Sequence, residues 1–356
     1  MPESRLLDPD DVAPWIAALL RDNWNSRVLA GVDDDDCAVI SFGGGLLVAT
    51  ADFLNASPIA MQLGIGDLHD LGRLLIATNL ADLCGSGASP LALLTAITME
   101  HGTRLKDFER LMSGINTAAR RWGVPVVGGD TKLGGARAIL AVALGWARSS
   151  RDLFLRNGAR PNDHIWVSGA LGSCCAALVG LSEGMGDDDW RLWARRAILD
   201  PRLPMEQSRK LSAGHWANGG TDISDGLGAD LLNLCRSSSV GARIAAERIP
   251  LEPEVYEVAT ALGIPAYRLA FPIGGDLQFL VTAPPENSSY LSALGFTNIG
   301  RIEVGSTISM QLPSGEIAPL PTEGHRDIRQ MPFLEEVRSL IARDERPTMP
   351  DPTMEP

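Results

Sequence analysis

Along this chain one apolar segment after another ends in aspartate, and any fold it adopts must find a use for carboxylates at the ends of its core elements. The pattern runs through "GVDDDDCAVI" at 31–40, Asp52 after the apolar run 46–51, and Asp82 in "NLADLCGSG". It returns at Asp130 in "VVGGDTKL" and at Asp222 and Asp225 in "GTDISDGLGADL". Each has an ordinary reading. Asp33 to Asp36 make a solvated turn, Asp52 ends a strand, and Asp130 follows two glycines in a turn. Asp222 or Ser224 caps the helix that carries Leu231 and Leu234. Asp82 fits least well, because the C-terminal end of a helix disfavours a negative charge unless a cation compensates. Jointly the recurrences point elsewhere. Clustered carboxylates repel and raise one another's pKa, whereas Mg2+ prefers carboxylate and phosphate oxygens. Such a set suits two or more Mg2+ ions bridging to a triphosphate. Asp230 lies past the motif and reads as a helix-surface residue.

The balance of charge agrees. With 356 residues the chain is long enough for two cores, and its net charge of −13 argues against nucleic-acid and anionic-membrane partners. An acidic protein still binds polyphosphates when divalent cations sit between the two. No apolar run reaches the roughly 18 residues of a membrane helix, and "MPESRLLDPDDVAPW" lacks the form of a signal peptide. The five cysteines are scattered without a C-x-x-C spacing, which fits a reducing cytoplasm. There is no G-x-x-x-x-G-K-[ST], no G-x-G-x-x-G after a strand, no H-E-x-x-H and no G-x-S-x-G. A phosphate loop, a dinucleotide fold and a hydrolase triad are thereby set aside.

Periodicity sketches the elements. Helices are expected at 9–21, 67–83, about 105–122 and 173–183, and strands at 46–51, 91–98, 124–127, 138–146 and 164–168. Further strands are expected at 242–246, 277–282 and near 299–303, with "GMGDDDW" as a surface loop and "RPTMPDPTMEP" as a disordered tail. A first unit closes near residue 150, giving domains 1–150 and 151–340 and a tail 341–356. "VVGGDTKL" and "PIGGDLQF" each put Gly-Gly-Asp beside a strand, which is too short a match to establish a repeat.

"DDDDCAVI", "DLGRLLIATNLADLCGSGASP", "VVGGDTKLGG", "RNGARPNDHIWVSGALGS" and "TDISDGLGADL" follow one another in order over roughly residues 30–305. In this the chain resembles the thiamine-monophosphate kinase branch of the aminoimidazole ribonucleotide synthetase-like (PurM-like) family. The resemblance implies an α+β fold of two domains, with an N-terminal domain that binds ATP and Mg2+ and pairs through its sheet in a cytoplasmic homodimer. It implies a kinase acting on thiamine phosphate or a related small anionic substrate. Carried over position by position, it implies metal ligands at Asp35, Asp36, Asp52, Asp82, Asp130, Asp222 and Asp225. It implies nucleotide contacts at Asp52, Asn79, Gly128, Gly129, Asp130, Thr131, Lys132, Arg156 and Ser224, and catalytic roles for Asp130, Asp225 and Arg156. The attacking phosphate oxygen is already anionic, so no catalytic histidine is needed.

Three departures fall on the substrate side. Lys132 and Leu133 follow Gly-Gly-Asp-Thr where the family has Thr or Ser and then Arg. "GGDLQFLVT" replaces Gly-Gly-Glu-Asp-Tyr-Glu-Leu, with Leu277 for Tyr and Gln278 for the second Glu. Near the C-terminus, "PTEGHRDI" offers His325 and Arg326 where the kinase has aromatic residues. Two other readings stay open: an ATP-dependent ligase that activates an amide or carboxylate oxygen, and a nucleotide-binding subunit without catalysis.

Overall fold

A computed structural model describes residues 9–54 and 59–322, together with 335, 337–339 and 341. The first half runs α1 (Pro9–Leu20), β1 (Val28–Ala30), β2 (Ala38–Phe42), β3 (Gly45–Leu54), α2 (Ile59–Gln62), α3 (Leu68–Gly85), β4 (Ser89–Glu100), α4 (Leu105–Trp122), β5 (Val126–Gly134) and β6 (Ala138–Ala147). Its strands form one sheet in the order β1-β2-β3-β6-β4-β5, mixed because β4 and β5 run parallel. Alternation sets the faces: in β6, Ile139, Ala141, Ala143 and Ala147 are buried while their neighbours are half-covered. The buried face packs under α3 and α4 through Leu75, Ile76, Leu93, Leu111 and Ile115. No helix among the described residues packs on the other face, where Phe53 is exposed.

The second half runs β7 (His164–Val167), α5 (Ser173–Ser182), α6 (Asp188–Leu199), α7 (Met205–Gly214), β8 (Gly219–Asp222), α8 (Leu227–Ser238), β9 (Gly241–Ala245), α9 (Pro253–Leu262), β10 (Phe279–Ala283), α10 (Ser288–Ala293), β11 (Thr297–Glu303), β12 (Ile308–Gln311) and β13 (Ile317–Pro319). Its sheet has the order β13-β12-β9-β11-β7-β10-β8, with β8 at one edge. Leu231 and Leu234 of α8 cover one face with Ile165, Ile244 and Ile302. Leu211 and Leu291 cover part of the other with Trp166, Phe279 and Val281. The expected α+β architecture is what the chain folds into.

α3 joins the two halves. Asp67 caps it, accepting hydrogen bonds from the backbone N–H of His69 (2.7 Å) and Asp70 (3.2 Å). Leu75, Leu80 and Leu83 serve the first core, while Ala77 and Ala81 meet Leu277 of the second half. A helix buried on more than one side needs small residues where backbones approach. A Cβ on Gly72 would lie 2.3 Å from the Leu111 carbonyl oxygen, and one on Gly85 would lie 2.6 Å from the Asp222 nitrogen. The last turn of α3 therefore abuts the end of β8.

Several local expectations change. β3 continues to Leu54, so Asp52 lies inside the strand and not at its end. "VVGGDTKL" is not a turn but the edge strand β5. In "GMGDDDW", Asp187 caps α6 by accepting from the Trp190 N–H (3.0 Å), and Asp188 and Asp189 form its first turn. Neither Asp222 nor Ser224 caps α8, whose N-cap is Gly226. The tail from 342 and the residues His325 and Arg326 lie outside the described residues.

Candidate active site

Four separate stretches meet where α3 reaches β8: the β1–β2 loop, the middle of β3, the last turn of α3 and the β8–α8 corner. They bring together Asp35, Asp36, Asp52, Asp82, Asp222, Asp225 and Asp230. Arg156, in the 3-10 turn Arg156–Gly158, enters from the linker between the sheets.

Arg156 is a tie within this cluster. Its backbone N–H donates to Asp35 Oδ2 (2.9 Å) and its guanidinium ion-pairs with Asp36. Thr221 of β8 donates to Asp36 Oδ2 (2.9 Å), so the acidic loop is fastened both to the linker and to the second half. Thr50 of β3 donates to Asp82 Oδ2 (2.6 Å). Asn79, fully buried, accepts from the Asp52 N–H (3.3 Å) and donates to the Leu75 carbonyl (2.9 Å), holding the strand against the helix.

Electrostatics follow from burial. Asp82 is held well above the usual carboxylate range by burial and then by Asp52, Asp222 and Asp36. Asp222 is raised by burial, Asp36 and Asp230, against the lowering effect of Arg156. Burial also raises Asp52, and with Asp36 beside it lifts Asp35 to about 6. The Arg156 guanidinium, facing Asp36 and Asp35, is held above its ordinary value despite burial.

Asp230 is the residue sequence reasoning misplaced. It is fully buried, and its Oδ2 accepts from the N–H groups of Asp225 and Gly226 (3.1 Å each). It thus fixes the Asp-x-Ser-Asp-Gly corner from within α8. The i to i+5 spacing from Asp225 was the only signal, and it is not a helix-surface signal. Ser224 is exposed at the same corner.

Asp130 is not brought into this cluster within one chain. Cross-strand register aligns Asp52, Ala141, Thr95 and Gly129 on the core side of the first sheet. Asp130 aligns instead with Ala96, Leu140 and Phe53 on the opposite side, where it pairs with Lys132 (3.0 Å). Gly128, Gly129, Thr131 and Lys132 are exposed on the same edge strand. Three strand spacings, roughly 14 Å, separate that edge from β3.

A cavity of about 570 Å³ lies in the second half, lined by Trp193, Glu252, Gln278, Arg121, Arg196 and Arg202 among others and by none of the seven aspartates. The Ile223 N–H donates to the Gln278 carbonyl (2.7 Å), so one backbone bond links this cavity to the residue after Asp222. The Gln278 side chain is spent on Ser168 (3.0 Å) and the Arg202 carbonyl (3.1 Å). Asp276 caps α5 from a distance, accepting from the N–H groups of Gly172 (2.6 Å) and Cys174 (2.8 Å). Trp193 donates to Glu252 (2.6 Å).

The donors are carboxylate oxygens, the type a hard divalent cation takes, spread so that among the described residues no three of them lie within 4.8 Å of one another. Asp222 Oδ1 and Asp230 Oδ1 are buried without a hydrogen-bond partner. A buried unpaired carboxylate oxygen is costly unless a cation meets it. Oxygen ligands from carboxylates, completed by phosphate and water, are what Mg2+ takes.

Two stacked α+β halves with this acidic corner define the PurM-like class. The family model described as AIR synthase related protein, N-terminal domain, matches residues 34–147. A thiamine-monophosphate kinase of Methanospirillum hungatei is 30% identical over 286 residues, covering 80% of this chain and 92% of that protein. One of Pyrococcus horikoshii is 29% identical, covering 77% and 84%. The solved structure of AaThiL complexed with AMPPCP and TMP superposes with a TM-score of 0.76 at 24% identity, over 90% of this chain and 99% of that one. The chain belongs to the thiamine-monophosphate kinase family. Among the described residues no helix is long and apolar enough to cross a membrane.

Proposed function

We propose that the protein transfers the γ-phosphoryl group of ATP to thiamine monophosphate, giving thiamine diphosphate and ADP. The observation that carries this is the set of buried and half-buried aspartates, two with unpartnered oxygens, tied by the Ile223–Gln278 backbone bond to the wall of a cavity of mixed charge. Asp52, Asp82, Asp222 and Asp225 would hold the cations, and Mg2+ held there would supply positive charge to the phosphate oxygens. Arg156 positions Asp35 and Asp36. In the cavity the indole of Trp193 and the carboxylate of Glu252 suit a cationic heteroaromatic ring, and Arg196 and Arg202 suit its phosphate.

In the transfer, an acceptor phosphate oxygen forms the bond to the γ-phosphorus. The bond from that phosphorus to the β–γ bridging oxygen breaks, and its electron pair leaves with ADP. The acceptor is an anion, so no proton must be removed first.

The reading includes a homodimer formed across the face of the first sheet that lies away from α3 and α4. Phe53, 69% exposed there, borders a shallow cavity of about 210 Å³ with Leu140, Asp130 and Lys132. In a pair of copies Gly128, Gly129, Asp130, Thr131 and Lys132 would then act from the interface.

Purified protein with ATP, Mg2+ and thiamine monophosphate should yield thiamine diphosphate and ADP in equal amounts. Free phosphate without a phosphorylated thiamine would favour the ligase reading and overturn this one. Sedimentation should give a dimer that Phe53→Glu dissociates; a wild-type monomer ends the dimer proposal.

A further inference from the structure

The second sheet carries a concavity that the aspartate site does not use. On the face where β10 and β7 are covered by α7 and α10, no helix among the described residues covers the neighbouring strands β11, β9 and β12. A groove of about 730 Å³ lies there, walled by the 3-10 turn Ala246–Arg248 and the β12–β13 turn.

Register places basic side chains side by side on its floor. His164 of β7, Arg301 of β11 and Arg243 of β9 are direct cross-strand partners. Arg248 joins them from the wall, reaching Asn298 (3.5 Å). Glu303 is the counter-charge, bonded to Arg243 (3.3 Å) and Arg301 (3.1 Å). The lining holds three arginines against Glu247, with Glu303 behind it, in a chain whose net charge is −13. Two of its donors are unmatched: Trp166 Nε1 and Arg243 Nε are buried without a hydrogen-bond partner, and Trp166 is 3% exposed. Buried N–H groups normally have an acceptor. Guanidinium groups in a fixed row are suited to bidentate phosphate recognition.

We propose that this groove is a second anion site, taking a small phosphorylated molecule without a metal ion. Its volume lies in the range of small-ligand pockets, and the overall acidity of the chain disfavours a polyanionic nucleic acid.

The two sites separate by their need for cations. In EDTA the aspartate cluster repels phosphate, and Arg196→Gln with Arg202→Gln removes the phosphate-binding side chains of the acceptor cavity, so pyrophosphate titrated calorimetrically into that metal-free variant reports the groove. One equivalent per chain should bind, and more weakly as salt rises. Arg243→Gln with Arg301→Gln should weaken binding at least tenfold, as should Arg248→Gln, an exposed change that leaves the floor intact. Glu303→Gln should tighten it severalfold by releasing both arginines, a gain that misfolding cannot produce. Asp222→Asn should leave it unchanged. Absence of binding in EDTA, or binding indifferent to Arg248→Gln and Glu303→Gln, overturns the proposal. Either result leaves the kinase assay standing on its own.

Discussion

Replacing Asp222 with Asn should make the metal-free protein more stable and the nucleotide-bound protein less so. The side chain is 1% exposed and its Oδ1 has no partner. Burial first, then Asp36 and Asp230, disfavour its charge. Above the unfolded carboxylate range, the folded chain must either bury that charge or take up a proton, and the amide does neither. An unsatisfied buried polar group costs about 1–3 kcal/mol. At about 2.1 cal/mol/K of unfolding entropy per residue, a chain of 356 residues should melt roughly 1–4 °C higher. The sign with pH is fixed. A carboxyl whose folded pKa is raised contributes stability below the unfolded pKa of about 3.9 and loses it as pH rises through the folded value. The advantage of Asn should therefore vanish near pH 4 and grow towards pH 8. Saturating Mg-ATP, at about a hundred times its Kd, adds about 2.7 kcal/mol, roughly 4 °C, to the wild type. The variant should not respond. Scanning fluorimetry in EDTA and in Mg-ATP measures both effects. A variant that melts lower in EDTA, or keeps the nucleotide shift, would refute the assignment of a cation-dependent carboxylate.

Arg156→Gln removes the partner of Asp36 at a site where the arginine is 16% exposed, so about 3–5 kcal/mol of stability should be lost; a loss under 1 kcal/mol in urea melts would contradict the tie. Asp276, lifted to about 7 by burial, contributes stability below the unfolded carboxylate pKa that is lost as pH rises through 7. Asp276→Asn should flatten the fall in metal-free melting temperature between pH 4 and 8, and an unchanged pH profile would count against it. Trp193→Ala should raise the KM for thiamine monophosphate at least tenfold with the Mg-ATP melting shift intact; loss of both would move Trp193 out of the acceptor cavity. Gly129→Ala places a Cβ 1.9 Å from the Thr95 carbonyl at φ 150°, so β5 should detach with a loss of more than about 1 kcal/mol; wild-type stability would show that the edge can shift.

Much of the scaffold was legible because it is local. The helix expected at about 105–122 is α4, Leu105–Trp122, since an amphipathic stripe and Gly123 just beyond it state both period and end. Asp82 announced itself as a carboxylate in a last helical turn. The short strands β1, β2, β8, β12 and β13 escaped, because three to five residues hold too little periodicity. "VVGGDTKL" misled for a related reason: glycines read as a turn, yet an edge strand tolerates them where a neighbouring carbonyl comes close.

By itself, the order of aspartate-bearing motifs determined the kind of chemistry and the family, because residue type and spacing carry charge and ligand preference. Tertiary structure alone decided which carboxylates share a site. A strand turns alternate side chains to opposite faces, so Asp52 enters the cluster while Asp130, on a strand of the same sheet, faces away. Helix α8 likewise turns Asp230 inward to bind the corner it follows. The direction in which a carboxylate points is set by register and packing, and those are properties of the folded chain.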